Sequence, residues 1–159
     1  VPALPAPFVH ELRVRYGECD PQGIVFNANY LLYFDVAFTE LWRACVGPWQ
    51  EMVDRGIDAV VADASLSFRA PARFDDQLEL RASVRRLGRT AITTGIDVVR
   101  AEQLLVAGEL RHVCVSTAQA SRPTDTISAK LPAKPVKTDI PDWIRAGLRR
   151  FAEPAAEAS

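Results

Sequence analysis

Within Tyr16-Gly-Glu-Cys-Asp20-Pro-Gln-Gly23-Ile-Val-Phe-Asn27-Ala-Asn-Tyr30, one carboxylate stands in a Pro/Gly-containing turn directly before a long apolar stretch. A turn that leads into a helix places such an acid beside backbone N–H groups that no intrahelical carbonyl reaches. Those donors polarise a bound carbonyl while the acid attacks it or activates a water. Read alone, Asp20 before Pro21 is more ordinarily a turn residue bonded to its own backbone, and only the whole pattern favours chemistry. Gly23 permits a positive φ or the close approach of a ligand, and Asn27 is the expected N-cap of the helix that follows.

Other reactive side chains offer less. Glu18 and Asp20 fall on opposite sides of an extended chain, so a carboxylate dyad is not expected, and Cys19 reads as a packing residue. His112 and Cys114 share a strand face, but nothing near them in sequence would lower the thiol pKa. Two histidines and three scattered cysteines give no zinc spacing, so no metal is expected. Asp75-Asp76 reads as a solvated turn.

The elements that must position Asp20 follow from periodicity. Phe8, Leu12, Val14 and Tyr16 alternate with polar residues as in a half-buried strand. From Ala28 the period lengthens: Leu31, Phe34, Phe38, Leu41 and Cys45 recur at three and four residues, and Tyr30, Tyr33, Ala37 and Trp42 make further faces apolar. This predicts a mostly buried helix over 28–46, stopped by Gly47-Pro48, and a shorter amphipathic helix over 49–55. Alternation returns in 62–70, 78–84, 92–98 and 104–117, with turns at Leu87-Gly88-Arg89 and Ala101-Glu102-Gln103 and a bulge expected near Ala107-Gly108-Glu109. A last short helix is expected at 141–150.

This order is α+β: one long helix that a single curved, mainly antiparallel five-stranded sheet must wrap. The sheet's edges need cover, which a second copy of the chain supplies economically, so a homodimer at least is expected. With 159 residues, 48% of them hydrophobic and 25% charged, the chain suits one domain with a substantial core. Its 19 basic and 20 acidic residues leave a net charge of −1, which gives no global attraction to nucleic acid or to an anionic membrane. No apolar run approaches the roughly 20 residues of a membrane span, and the start of the chain lacks the pattern of a secretion signal. Three widely spaced cysteines suit the reducing cytoplasm better than a disulfide framework.

The spacing Asp20-x-x-Gly23-x-Val25-x-Asn27-x-x-Tyr30 resembles the signature of the 4-hydroxybenzoyl-CoA thioesterase-like branch of the hotdog-fold acyl-CoA thioesterases. The resemblance covers roughly 9–121 and extends to Phe68-Arg-Ala-Pro-Ala-Arg-Phe74-Asp75-Asp76 and to the Gly88-Arg89-Thr90 turn. It implies the hotdog fold, hydrolysis of acyl-CoA to free acid and coenzyme A, and no cofactor beyond the coenzyme A of the substrate itself. It also implies that Asp20 is nucleophile or general base, and that the Asn27 N–H polarises the thioester carbonyl beside Gly23. The Asn27 side chain reads the same way, as a donor to the acyl oxygen or to the attacking water. By the same resemblance Arg89 and Thr90 would meet the coenzyme A phosphates, with Arg85 and Arg86 nearby. The helix and its facing strand should supply the acyl pocket through Tyr30, Phe34 and Phe68.

Two other classes compete. A hotdog hydratase or dehydratase acting on acyl thioesters would need a histidine with an acid, and neither His10 nor His112 adjoins the helix-entry motif. A non-catalytic acyl-CoA or acyl-carrier binding module would leave Asp20 without a purpose. The expected organisation is a flexible arm over 1–7, the hotdog domain over 8–121, an extension with a short helix over 122–151 and a disordered tail over 152–159. The assembly expected is a homodimer or homotetramer that binds neither nucleic acid nor membrane.

Overall fold

The computed structural model describes residues 5–117, 136–154 and 156. The chain begins with strand β1, Phe8–Arg13, then a 3-10 turn at Tyr16–Glu18, and enters helix α1 at Asn27–Cys45. Helix α2, Trp49–Asp54, leads through Gly56, at φ +78°, into strand β2 at Ile57–Phe68. Three further strands follow as consecutive hairpins: β3 Gln77–Leu87, β4 Ala91–Arg100 and β5 Gln103–Ser116. A two-residue strand β6, Val136–Lys137, pairs with the end of β5, and helix α3 spans Asp142–Leu148. The sheet order is β1-β3-β4-β5-β2, and every pairing in it is antiparallel.

Helix α1 lies against one face of this sheet. Its buried residues Tyr30, Tyr33, Phe34, Ala37, Phe38, Leu41 and Trp42 recur at intervals of three and four, which is one continuous stripe. Leu80, Ala82, Val84, Ile92, Ile96, Val98, Val106 and Leu110 complete the core from the strands. The helix is more one-sided than its composition predicts: Leu31 and Leu32 remain 43% and 50% exposed. At Gly108 a Cβ would come within 2.0 Å of the Ser65 carbonyl oxygen and 2.8 Å of the Phe34 ring, so only glycine lets β5 pass between β2 and α1 there.

Several boundaries differ from the sequence expectation. The first strand stops at Arg13; Val14 is buried, but Tyr16 turns outward because the chain tightens into the 3-10 turn. Strand β2 begins at Ile57 and not at 62, since Ile57–Val61 already pair with β5. Its alternation is not expressed as burial, because β2 is an edge strand and residues 61–65 are exposed in the single chain. The bulge expected near 107–109 lies at Leu105, where the register moves from Val98↔Val106 to Val99↔Leu104. Further shifts occur at Ala62 in β2 and Arg85 in β3.

Most of the N-terminal arm and much of the 122–151 extension lie outside the described residues; within that extension, α3 falls where a helix was expected. Of the tail over 152–159, residues 152–154 and 156 are among those described. Ala152 bridges Val84, the Glu153 N–H donates to the Val84 carbonyl at 2.9 Å, and the Leu87 N–H donates to the Ala156 carbonyl at 2.7 Å. This segment takes up the edge of β3 beyond its pairing with β1, which ends at Ala82, because unpaired strand groups there would otherwise lack partners.

Candidate active site

Asp20 sits in a tight loop closed by its own backbone. Its N–H donates to the Ile24 carbonyl at 2.8 Å, its carbonyl accepts from the Gly23 N–H at 2.9 Å, and Oδ1 accepts from the Gln22 N–H at 2.8 Å. The Asx-type turn is therefore real, and it leaves Oδ2 free of that bond. Gly23 adopts φ +74°, and a Cβ there would touch nothing within 4 Å, so its demand for glycine is conformational. The loop is sewn to the chain ahead of β3 by a bridge between Ile24 and Arg73 and by the Val25 N–H donating to the Ala72 carbonyl at 2.9 Å.

Asn27 does not cap α1. Phe26 is the N-cap, with extended backbone and no side-chain cap bond, and Asn27 is the first helical residue. The reason is local: the Asn29 N–H already reaches the Phe26 carbonyl at 2.9 Å, and the Asn29 side chain donates to the Glu18 carbonyl at 2.8 Å. As the opening residue of the helix, Asn27 has a backbone N–H without an intrahelical acceptor and an exposed side chain.

Asp20, Asn27, Tyr30 and Phe68 line one cleft of about 480 Å³, together with Phe26 and Arg69. Gln22, Ile24, Val25, Ala70 and Pro71 complete its wall, which is largely apolar. Tyr30 is buried beneath it, its hydroxyl accepting from the Ala72 N–H at 3.0 Å and its ring edge-on to Phe68 at 5.6 Å. Burial raises the Tyr30 hydroxyl pKa, which keeps the group neutral. Phe68 is 56% exposed, an open wall of the cleft.

The other expected pocket residues lie elsewhere. Phe34 is fully buried in the core between α1 and Gly108 and does not reach the cleft. Arg89 and Thr90 belong to the β3–β4 hairpin, where they line a separate groove with Arg86 and Arg111, and Arg89 pairs with Asp139 at 2.6 Å. Arg145, on α3, donates to the Gly88 carbonyl at 2.8 Å, and Gly147 of the same helix abuts the Cys45 carbonyl at the end of α1. The hairpin therefore stands beside the C-terminal end of α1. With 19 residues in that helix, its two ends are about 28 Å apart. Within one chain, Arg89 and Asp20 are not brought together, because sequence spacing says nothing about which end of an antiparallel sheet a hairpin occupies.

Glu18 is the residue that sequence reasoning undervalued. It is not a second catalytic acid: it is buried, and both carboxylate oxygens are occupied by Arg15 and by the Tyr33 hydroxyl. Burial by itself would raise its pKa, but the hydrogen bonds from Arg15 and Tyr33 outweigh it and hold the carboxyl below its ordinary value. Tyr33 is raised in turn, by burial first and then by donating to that carboxylate. The Arg15-x-x-Glu18 spacing was the available signal. His112 and Cys114 are inert as a nucleophilic pair: burial pushes the imidazole down to about 4 and the thiol up to about 11. Asp75, at φ +69°, pairs with Arg13, and Asp76 accepts from Arg100 at 2.6 Å, so this turn is structural.

An acid in a closed loop against the N-terminus of one helix, with an antiparallel sheet wrapped around that helix, is the hotdog thioesterase arrangement. Comparison with known proteins agrees with it. The chain belongs to the thioesterase superfamily, whose family model matches residues 22–107, just over half of the chain. It is similar to a putative esterase of Aquifex aeolicus, 30% identical over 109 residues that cover 69% of this chain and 85% of that protein. It is also similar to the acyl-CoA thioester hydrolase YbgC of Escherichia coli, 31% identical over 65% of this chain and 78% of that one. Among solved structures, a hypothetical protein from Aquifex aeolicus superposes with a TM-score of 0.74 at 27% identity, covering 89% of this chain and 99% of the other. The protein is a thioester hydrolase. Asp20 itself lies two residues ahead of the matched span.

Proposed function

We propose that this protein hydrolyses acyl-CoA thioesters to the free carboxylic acid and coenzyme A, with Asp20 as the reacting acid. The observation that carries the assignment is the shared cleft, in which Asp20 and the first helical residue of α1 line the same apolar wall. A thioester carbonyl seated there receives the Asn27 N–H and the positive end of the helix as its charge develops. Asp20 then either attacks the carbonyl carbon, expelling the thiolate and leaving a mixed anhydride that water hydrolyses, or takes a proton from a water that attacks directly. A thiolate leaves readily, so no second acid is needed, and the reading requires neither metal nor redox cofactor. Similarity to an acyl-CoA thioester hydrolase supports coenzyme A as the thiol carrier. A hydratase is less well served, since no histidine lines the cleft.

Assembly belongs to the same proposal. Among the described residues β2 pairs only with β5, its residues 61–65 are exposed, and Leu31, Leu32, Val61 and Phe68 are exposed apolar side chains. A second copy pairing there covers the edge, giving a homodimer or a homotetramer built from it. Arg89 and Thr90 would then reach coenzyme A phosphates bound at another subunit's cleft. No helix among the described residues is long and apolar enough to cross a membrane, and all three cysteines are free, which supports a reducing cytoplasm. A panel of acyl-CoA thioesters, read by release of free thiol, tests the activity. Hydrolysis is expected; hydration of an enoyl thioester without thiol release, or binding without turnover, would overturn it.

A further inference from the structure

The hydrogen bonds of Asp20 close within its own turn, on Gln22, Gly23 and Ile24. What fastens this turn to α1 is Glu18. Its carboxylate Oε2 accepts from the Tyr33 hydroxyl of α1 at 2.7 Å and from the Arg15 N–H at 2.8 Å, while Oε1 accepts from the Arg15 guanidinium, with Nε at 2.7 Å. On its other side, the Glu18 main-chain carbonyl accepts from the Phe26 N–H at 2.9 Å and from Asn29 Nδ2 at 2.8 Å. One residue thus holds the helix at its cap, at its first turn and nearly two turns in.

A buried carboxylate is a costly way to hold two segments together unless it does something an apolar contact cannot. Apolar packing tolerates sliding. The hydrogen bonds from Tyr33, Phe26 and Asn29 do not, because each weakens steeply with distance and angle. The geometry that needs such precision is the separation between the Asp20 carboxylate and the first N–H groups of α1, where a misplacement of about 1 Å costs on the order of a hundredfold in rate.

We propose that Glu18 is a positioning residue: bonded to Tyr33, Phe26 and Asn29, it fixes the Asp20 carboxylate relative to the N-terminus of α1. The proposal rests on the reading of Asp20 as the reacting acid. Tyr33 is the cleanest handle, since Tyr33→Phe keeps a fully buried ring and removes only the hydroxyl. Tyr33→Phe should lower kcat roughly tenfold with little change in KM, the rate equivalent of one hydrogen bond to a charged group. Glu18→Gln should lower it further, about a hundredfold.

The deciding measurement is the cycle with Asp20→Asn. If Glu18 acts through Asp20, Tyr33→Phe takes nothing further from the residual rate of Asp20→Asn. The same fractional loss in both backgrounds, or a lowered melting temperature with kcat unchanged, overturns the proposal. Near-normal turnover by Asp20→Asn alone would instead overturn the assignment of Asp20, whatever Tyr33→Phe does. Should Glu18→Gln not fold, Tyr33→Phe decides the matter by itself.

Discussion

Replacing Asp20 by asparagine separates its two roles, because asparagine reproduces one of them completely. The turn needs an oxygen on Oδ1 to accept the Gln22 N–H, now at 2.8 Å, and it needs the backbone bonds to Ile24 and Gly23. Asparagine supplies that oxygen at the same position and leaves the backbone untouched, so stability should change by no more than about 0.5 kcal/mol. What it removes is the negative charge, and with it both nucleophilic attack and proton abstraction. General-base catalysis contributes on the order of 10²–10⁴ in rate, about 3–5 kcal/mol of barrier, and the covalent route would lose at least as much. Thiol release from acyl-CoA by the purified variant should therefore fall by at least a hundredfold, while its melting curve overlays that of the parent protein. Asp20→Ala should lose activity equally and also about 1 kcal/mol of stability, the net worth of the Asx bond. If Asp20 were only a turn residue, the order would invert: the asparagine variant would keep near-normal turnover, and that result refutes the mechanism.

Gly108→Ala should destabilise the fold by about 1–3 kcal/mol in urea titration, since the new methyl would meet the Ser65 carbonyl oxygen at 2.0 Å; an unchanged midpoint would contradict the packing. His112, held near 4 by burial against an ordinary 6.5, takes up its proton in the unfolded chain first. Its contribution is thus full above about 6.5 and is lost as pH falls towards 4, roughly 3 kcal/mol in all, against an opposing effect of Asp35, whose carboxyl burial raises. His112→Leu should flatten the fall in stability between pH 7 and pH 5; an identical slope would show that the imidazole is not responsible. Arg89→Ala should raise KM for acyl-CoA severalfold in the assembled enzyme with little change in kcat, and less for a pantetheine thioester lacking the nucleotide. Equal losses of kcat on both substrates would make Arg89 structural.

The sequence by itself determined the elements and the chemistry on offer. Alternation and three-four periodicity are local consequences of backbone geometry, so the long helix, the hairpins at 88 and 101–102 and the α+β order were all legible. The pairing of Asp20 with the N-terminus of α1 was legible too, because only six residues separate them and Gly23 marks the turn. Tertiary structure decided what depends on contacts between distant segments. It turned Phe34 into core by setting Gly108 against it, sent Arg89 to the far end of α1, and set Ala152 and Glu153 beside Val84 on the edge of β3. Above all it gave Glu18 its partner, for the Tyr33 hydroxyl fifteen residues away faces that carboxylate only once the helix packs on its loop. Periodicity tells which face of an element is apolar; which atom of another element meets it depends on how the whole chain closes.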